Sequence, residues 1–520
     1  MMRMPCRWFL CVLLGLVTPV WAGGSGGEAF DVSSCVLYFY GDSNEVEAAM
    51  YPDRNARLFV TMFPALYGTD REGAHFELRG HFPLTRYFVW TNYKNGGGAL
   101  IDLLPDNVIV PSEGVNPTMK GGGGFAAMLD SPRNTYTIAI RDLPPEERTT
   151  PKPENTIWGG FDDEGVPVGV NMLTMRYYGL HPLREDAQIP DQMTPEAWQN
   201  QGQVPLPRVY YVIDDEARAP YHTQEEVCQA VQNNGVYIDA FEKFIFRLDA
   251  FHDRVAPILE QMKRGAHKAG FDPVQWFIAA APNMRKALLY PFPHSAFASL
   301  LFRLSPMFSK GYLESNYFPN WNSGYLGTIL NPNYGEIFVF RIRNRRFPRT
   351  EEGEEIEYGS WTPVADDYTA DPRYAVESDF HQVRYWSLCI YQYYQFAVSN
   401  CLQDRQVKLD PDGYATVVVS SKEDRPQKDP ILGEDYNWLE WDSPVPNLIL
   451  REIYVHPGYL EASYWYKTAC EADTSYRNRN CHYDNDAIAR HMKSYFPVST
   501  YCTKEAFERN RCGIMRDSLP

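Results

Sequence analysis

The residues best suited to chemistry come in pairs. Arg176 and His181 stand in the frame Leu-x-x-Arg-x-x-x-x-His-Pro from Leu173 to Pro182, and Arg451 and His456 stand in the same frame from Leu448 to Pro457. A His-Pro step after a strand places an imidazole at a strand end, where sites often form. The guanidinium five residues earlier could face the same ligand. It could equally pair a buried carboxylate or cap carbonyls, as buried arginines do. Residues present in both frames are well explained by what both need to fold. A second cluster is SNYFPNWNSGYLGTILNPNY, residues 315–334. Its Tyr317, Trp321, Asn322, Tyr325, Asn333 and Tyr334 could offer ring faces to sugar CH groups and amides to hydroxyls. The competing reading is a tyrosine network packing a module junction.

Motif chemistry is sparse. The chain has no Gly-x-Ser-x-Gly elbow, Walker loop, His-Glu-x-x-His or dinucleotide glycine signature. Asp410-x-Asp412-Gly413 opens like a calcium loop but lacks the later ligands and the closing Glu, so no metal is expected. No cofactor is expected either. Two carboxylates facing across a cleft need no local motif, so a glycan hydrolase or lyase stays open as an alternative. The formal net charge of −17 argues against nucleic acid or an anionic membrane as partner. A glycan or small polar molecule fits the 14% aromatic content better.

The elements that must position these residues repeat. RYFVWTNY from Arg86 corresponds to RYWSLCIY from Arg384. YPDRN at Tyr51 matches FPNWN at Phe318, and FELRGHFP at Phe76 matches FRIRNRRFP at Phe340. Downstream, the turn around Asp102–Asn107 resembles that around Asp404–Gly413, YTIAI at Tyr136 matches YATVVVS at Tyr414, and Trp158 matches Trp438. Seven matches in one order indicate two homologous modules, roughly 28–200 and 313–465. Their segments alternate or run β-branched between Pro, Gly and Asn turns, as in a sandwich or jelly roll. In a strand, Trp386, Leu388 and Ile390 share one face, the core; Tyr385, Cys389 and Tyr391 share the other. Both faces are semi-apolar, so the strand is expected to be covered on both sides by protein.

Between the modules the texture is helical. Thr223-x-x-Glu226 is a capping box, and Phe241, Phe244, Leu248, Phe251, Val255, Ile258 and Met262 recur near helical period. A helical insert over 222–312 follows. The first 22 residues have Arg3 and Arg7, a short apolar core and a small-residue site at Ala22, so they read as a signal peptide and the chain as secreted or periplasmic. No later apolar run is long enough to span a membrane. Beyond the leader, Cys35, Cys228, Cys389, Cys401, Cys470, Cys481, Cys502 and Cys512 make an even set, expected as disulfides. Cys389 and Cys401 are expected to form a local pair, and the last four to staple a C-terminal cap over 466–520.

The paired frame resembles exported bacterial proteins built from two related domains of unknown function in tandem. The resemblance rests on FP…RYF and FP…RYW, the Asp-containing turn, TIAI and TVVV, the tryptophan and the Leu-x-x-Arg…Pro close. It implies a tandem jelly-roll-like architecture without an assigned reaction. The expected fold class is therefore mainly β with a helical insert (α+β): two homologous β-sandwich modules plus a disulfide-rich tail. The expected function is a non-catalytic binding or envelope-associated protein.

Overall fold

The structure, a computed structural model, describes residues 28–233, 309–310, 323–350, 381–456, 459, 463 and 492–514, apart from the internal stretches 37, 42–52, 54, 67–72, 95–99, 119–122, 124–126, 128–132, 331–333, 393–396 and 443–445. The signal peptide, most of the helical insert, the acidic loop after Pro348, and Tyr317, Trp321, Asn322, Asn333, Cys470 and Cys481 lie outside the described residues.

The fold is mostly β, with four sheets forming two sandwich-like units. The first unit contains β1 (Ala29–Asp31), β2 (Tyr38–Gly41), β3 (Ala56–Pro64), β4 (Ala74–His81), β5 (Thr85–Tyr93), β6 (Leu100–Pro105), β7 (Thr135–Asp142), β8 (Thr156–Gly159), β9 (Val170–Leu180) and β10 (Arg208–Ile213). The second contains β11 (Ser309–Lys310), β12 (Ser323–Ile329), β13 (Ile337–Arg343), β14 (Val383–Gln392), β15 (Ala397–Gln403), β16 (Tyr414–Ser420), β17 (Asn437–Glu440), β18 (Pro446–Val455) and β19 (Val498–Cys502). Among the described residues, short α-helices accompany them: α1 (Pro195–Asn200), α2 (Gln224–Asn233) and α3 (Lys504–Asn510).

The two units share one plan. Sheet order β2-β3-β9-β5-β6 corresponds to β11-β12-β18-β14-β15, and β10-β4-β7-β8 corresponds to β19-β13-β16-β17, with β1 added at the edge of the first unit. Pairing is antiparallel except for β7–β8 and β16–β17, which are both parallel. The register agrees residue for residue. Val89 faces Arg176 and Ser387 faces Arg451; the ladder slips after Asn92 in the first unit and after Ile390 in the second. Each sandwich closes on a strand from well downstream of its other strands, β10 and β19.

The register also corrects two sequence matches. Ile140 faces Phe76, and Val417 faces Phe340, so Tyr136 does not correspond to Tyr414. The true alignment is shifted by one residue, and a one-residue shift exchanges the faces of a strand. Accordingly Tyr136 lies in the first core, while Tyr414 lies half-buried against the Arg341 guanidinium. The turn at Asp106–Val108 corresponds to Asp404–Gln406, not to Asp410–Gly413, because Val89 faces Pro105 as Ser387 faces Gln403.

Each core lies between its two sheets. In β7, Tyr136, Ile138 and Ile140 point inward while Thr137 and Ala139 point out, the alternation of a half-buried strand. β5 and β14 behave differently. Phe88 and Trp90, or Trp386, Leu388 and Ile390, enter the sandwich cores. Tyr87, Val89 and Tyr93 on one strand and Tyr385 on the other join a third core, which also takes Tyr178, Ile453 and Tyr454. The cover on their second face is thus the other module. Disulfides join Cys35 to Cys228, Cys389 to Cys401 and Cys502 to Cys512. The outer face of the β13–β16 sheet is covered by the tail, through Phe507 and Ile514. Among the described residues no helix is long and apolar enough to cross a membrane.

Candidate functional site at the inter-module face

Strands β5 and β14 carry the arginines of the repeated Arg-Tyr-aromatic motif at their second positions, and 3-10 turns after β6 and β15 begin with aspartates. These groups cross between modules. Arg86 Nη1 donates to Asp404 at 2.6 Å, and Arg384 Nη2 donates to Asp106 at 3.1 Å. Each carboxylate also accepts a backbone N–H of its own module: Phe88 to Asp106 and Trp386 to Asp404, both at 3.1 Å. All four side chains are buried. Burial pushes the Asp106 carboxyl up to about 6 despite the arginine beside it. An uncompensated charge here would cost several kcal/mol, roughly 3–5 for a broken buried pair, so these groups hold the modules in one arrangement.

Arg176 and Arg451 lie on the same face. Arg176 contacts Thr91 Oγ1 at 3.4 Å and sits 5.5 Å from the Tyr93 ring centroid. Arg451 reaches Asp53 at 3.3 Å and Tyr391 at 3.3 Å, and stands 5.2 Å from the Tyr325 ring centroid. Asp53 belongs to the first module and accepts from Tyr385 at 2.9 Å and from Ser387 of the second. Half-buried Tyr325 is therefore placed beside Arg451. Tyr334 is not; its ring meets Tyr501 at 5.5 Å, on the other sheet of the second module.

The two histidines occupy equivalent strand ends. The backbone N–H of His181 donates to the Leu84 carbonyl at 3.1 Å and that of His456 to the Gln382 carbonyl at 2.8 Å. His181 Nε2 meets Thr350 of the other module at 3.1 Å. Burial, with Arg86 and Arg405 nearby, lowers its pKa to about 3; burial and His381 lower that of His456 to about 4. Both imidazoles are neutral at pH 7.

Two further polar groups belong to the first module alone. Asp142 accepts from the Leu66 N–H and from Asn171 Nδ2 at 2.9 Å, and Asn171 Oδ1 accepts from Asn92 at 2.9 Å and from the Gly160 N–H at 3.1 Å. Burial raises the Asp142 carboxyl to about 7. A Cβ at Gly159 would fall 2.4 Å from both the Asn171 and the Asp142 side-chain oxygens, so that position requires glycine. On the outer face, His75 stands between Asp214 at 2.7 Å and Glu77 at 3.3 Å. Both ring nitrogens face carboxylates, the arrangement of an imidazolium. These groups carry no motif and are not repeated, so composition and spacing did not mark them. The crossed Arg and Asp residues were marked, inside the repeat, but their partners were not.

Among the described residues one set has metal-like spacing, Asp53 with Cys389 and Cys401. The two sulfurs are bonded to each other, and a disulfide offers no thiolate, so the set does not fit a metal.

No family model matches the chain, and no curated protein matches it. Among solved structures it is similar to an uncharacterized protein from Burkholderia cenocepacia, with 11% identity and a TM-score of 0.38 over 84% of this chain and 79% of that one. It is also similar to a protein from Vibrio parahaemolyticus, with 11% identity and a TM-score of 0.31 over 78% of this chain and 86% of that one. Likeness at this distance does not bear on activity.

Proposed function

We propose that the chain is an exported, non-catalytic binding or envelope-associated protein. The supporting observation is the fate of its repeated polar residues. The crossed Arg–Asp pairs and the Arg176 and Arg451 guanidiniums are enclosed in the contact between modules, and the two histidines are buried and neutral. General acid–base catalysis needs its groups within hydrogen-bond reach of a substrate, and side chains sealed in this way hold a scaffold instead. The disulfides among the described residues accord with an oxidising compartment outside the cytoplasm. The ligand class is a glycan or small polar molecule, taken up by the Tyr- and Asn-rich segment that runs through β12 past Tyr325. The test is a thermal-shift screen of the full chain against glycans and envelope fragments, with product analysis of every compound that shifts. A shift without turnover supports the reading. Turnover of any of them overturns it in favour of a carboxylate-dependent glycan hydrolase or lyase.

A further inference from the structure

We infer that the contact between the two sandwiches is a two-fold dimer interface enclosed within one chain, so that each module's contact face accepts a second copy of itself. In a two-fold interface, if residue i of one copy meets residue j of the other, then j meets i. Two unrelated surfaces have no reason to obey this. Here Arg86 corresponds to Arg384 and Asp106 to Asp404, by the common register of β5, β6 and β9 with β14, β15 and β18. Arg86 meets Asp404, and Arg384 meets Asp106. The pairing is reciprocal, and the supporting backbone donors, Phe88 and Trp386, correspond as well and stand at the same distance.

The surrounding backbone repeats too. Positions 179 and 454 correspond, and both adopt left-handed φ, 66° at Gly179 and 54° at Tyr454. For a tyrosine that conformation is strained. Only one copy carries a side chain there, and it stacks on Tyr87 of the opposite module at 5.2 Å and 18°. In the other copy Gly179 lies against Arg86, and Tyr385 tilts against Tyr178 at 5.5 Å. The asymmetric addition, the Tyr454 side chain, is thus laid over a symmetric charge pattern.

The inference predicts how charge reversals combine in the full chain. Arg384→Asp with Asp404→Arg reverses the second module's face. Within one chain, like charges then oppose each other at both contacts. Between two chains the unaltered first-module faces remain complementary to each other, with Arg86 against Asp106 twice. Light scattering after size-exclusion chromatography should show the mass rise from the wild-type value toward twice that value with concentration. Adding Arg86→Asp and Asp106→Arg restores complementarity within the chain. The fourfold variant should return to the wild-type mass and regain most of the thermal midpoint lost by the double variant. A double variant that keeps the wild-type mass at all concentrations overturns the inference. If that double variant is recovered only as aggregate, the converse one, Arg86→Asp with Asp106→Arg, decides: a mass rising toward twice the wild-type value with concentration supports two-fold exchange through the unaltered second-module faces, and a constant wild-type mass overturns it.

Discussion

Removing Trp386 should expose how differently the two faces of β14 work. The indole is fully buried between the sheets of the second sandwich, with the Arg345 guanidinium 5.9 Å from its ring. A buried aromatic of this size takes roughly 200 Å² out of water. At about 25 cal/mol per Å² that is about 5 kcal/mol. With part of the site relaxing, Trp386→Ala should cost about 3–5 kcal/mol. Trp386→Phe is a sharper control. Among the described residues the indole N–H has no hydrogen-bond partner, and the first module carries Phe88 at the corresponding position. That change should cost less than about 1.5 kcal/mol. Tyr385 is equally buried but faces the other module, bonding Asp53 and lying against Tyr178. Tyr385→Ala should therefore weaken coupling between modules while leaving each sandwich intact. A protein of this size need not unfold in two states. The assay is accordingly native-state hydrogen exchange with disulfides intact, read separately on β16 and β7. Trp386→Ala should raise exchange in β16 and leave β7 unchanged. A loss below about 1 kcal/mol, too small for an emptied aromatic core site, would refute the core assignment and reopen the strand as a binding surface.

Arg86→Ala leaves Asp404 buried without its cation and should cost about 3–5 kcal/mol in denaturant melts, while replacing both partners with leucine should cost less. Asp142 has its folded pKa raised to about 7 by burial, so its contribution to stability is full below the unfolded value near 4 and is lost as pH rises through about 7. The lowered pKa values of His181 and His456 act in the opposite sense, so the comparison is with the variant: between pH 5 and pH 8 the thermal midpoint of wild type should drop relative to that of Asp142→Asn. Arg511 donates to both oxygens of Asp429, at 2.7 and 2.8 Å, and pins the tail to the second module. Arg511→Ala should accelerate proteolytic cleavage between β19 and residue 514 without changing protection of β5.

The architecture was legible because the chain supplies its own comparison. Matches anchored on large or charged residues, Arg86 with Arg384 and Arg176 with Arg451, fell in the true register. The match of Tyr136 with Tyr414 slipped by one because both matched segments open on a tyrosine and continue in small and β-branched residues, and a two-residue period read without anchors does not fix which face is inward. The inter-module contacts were not legible. Arg86 and Asp404 are joined by docking alone, and no spacing in the sequence encodes that meeting. Nor did β19 stand out: VSTYC is short and half-buried along its whole length, so it lacks the alternation that marks a strand. Of the candidate ligand residues, Arg176, Arg451 and Tyr325 converge at the module contact, whereas Tyr334 lies apart from them.

The position of β19 has a consequence for synthesis. The first sandwich has all its strands, and the helix bearing Cys228, once residue 233 has emerged. The second cannot finish until residue 502 appears and enters the sheet beside β13. During that interval the first module stands complete, with Tyr87, Val89, Tyr93, Met172 and Tyr178 of its contact face uncovered. A self-complementary apolar face exposed on a nascent chain can find the same face on its neighbour, as transiently exposed surface does in other multidomain proteins. Chains made close together would then couple through their first modules before their own second modules exist, so crowding of chains during synthesis, more than intrinsic stability, would set the yield of correctly closed protein.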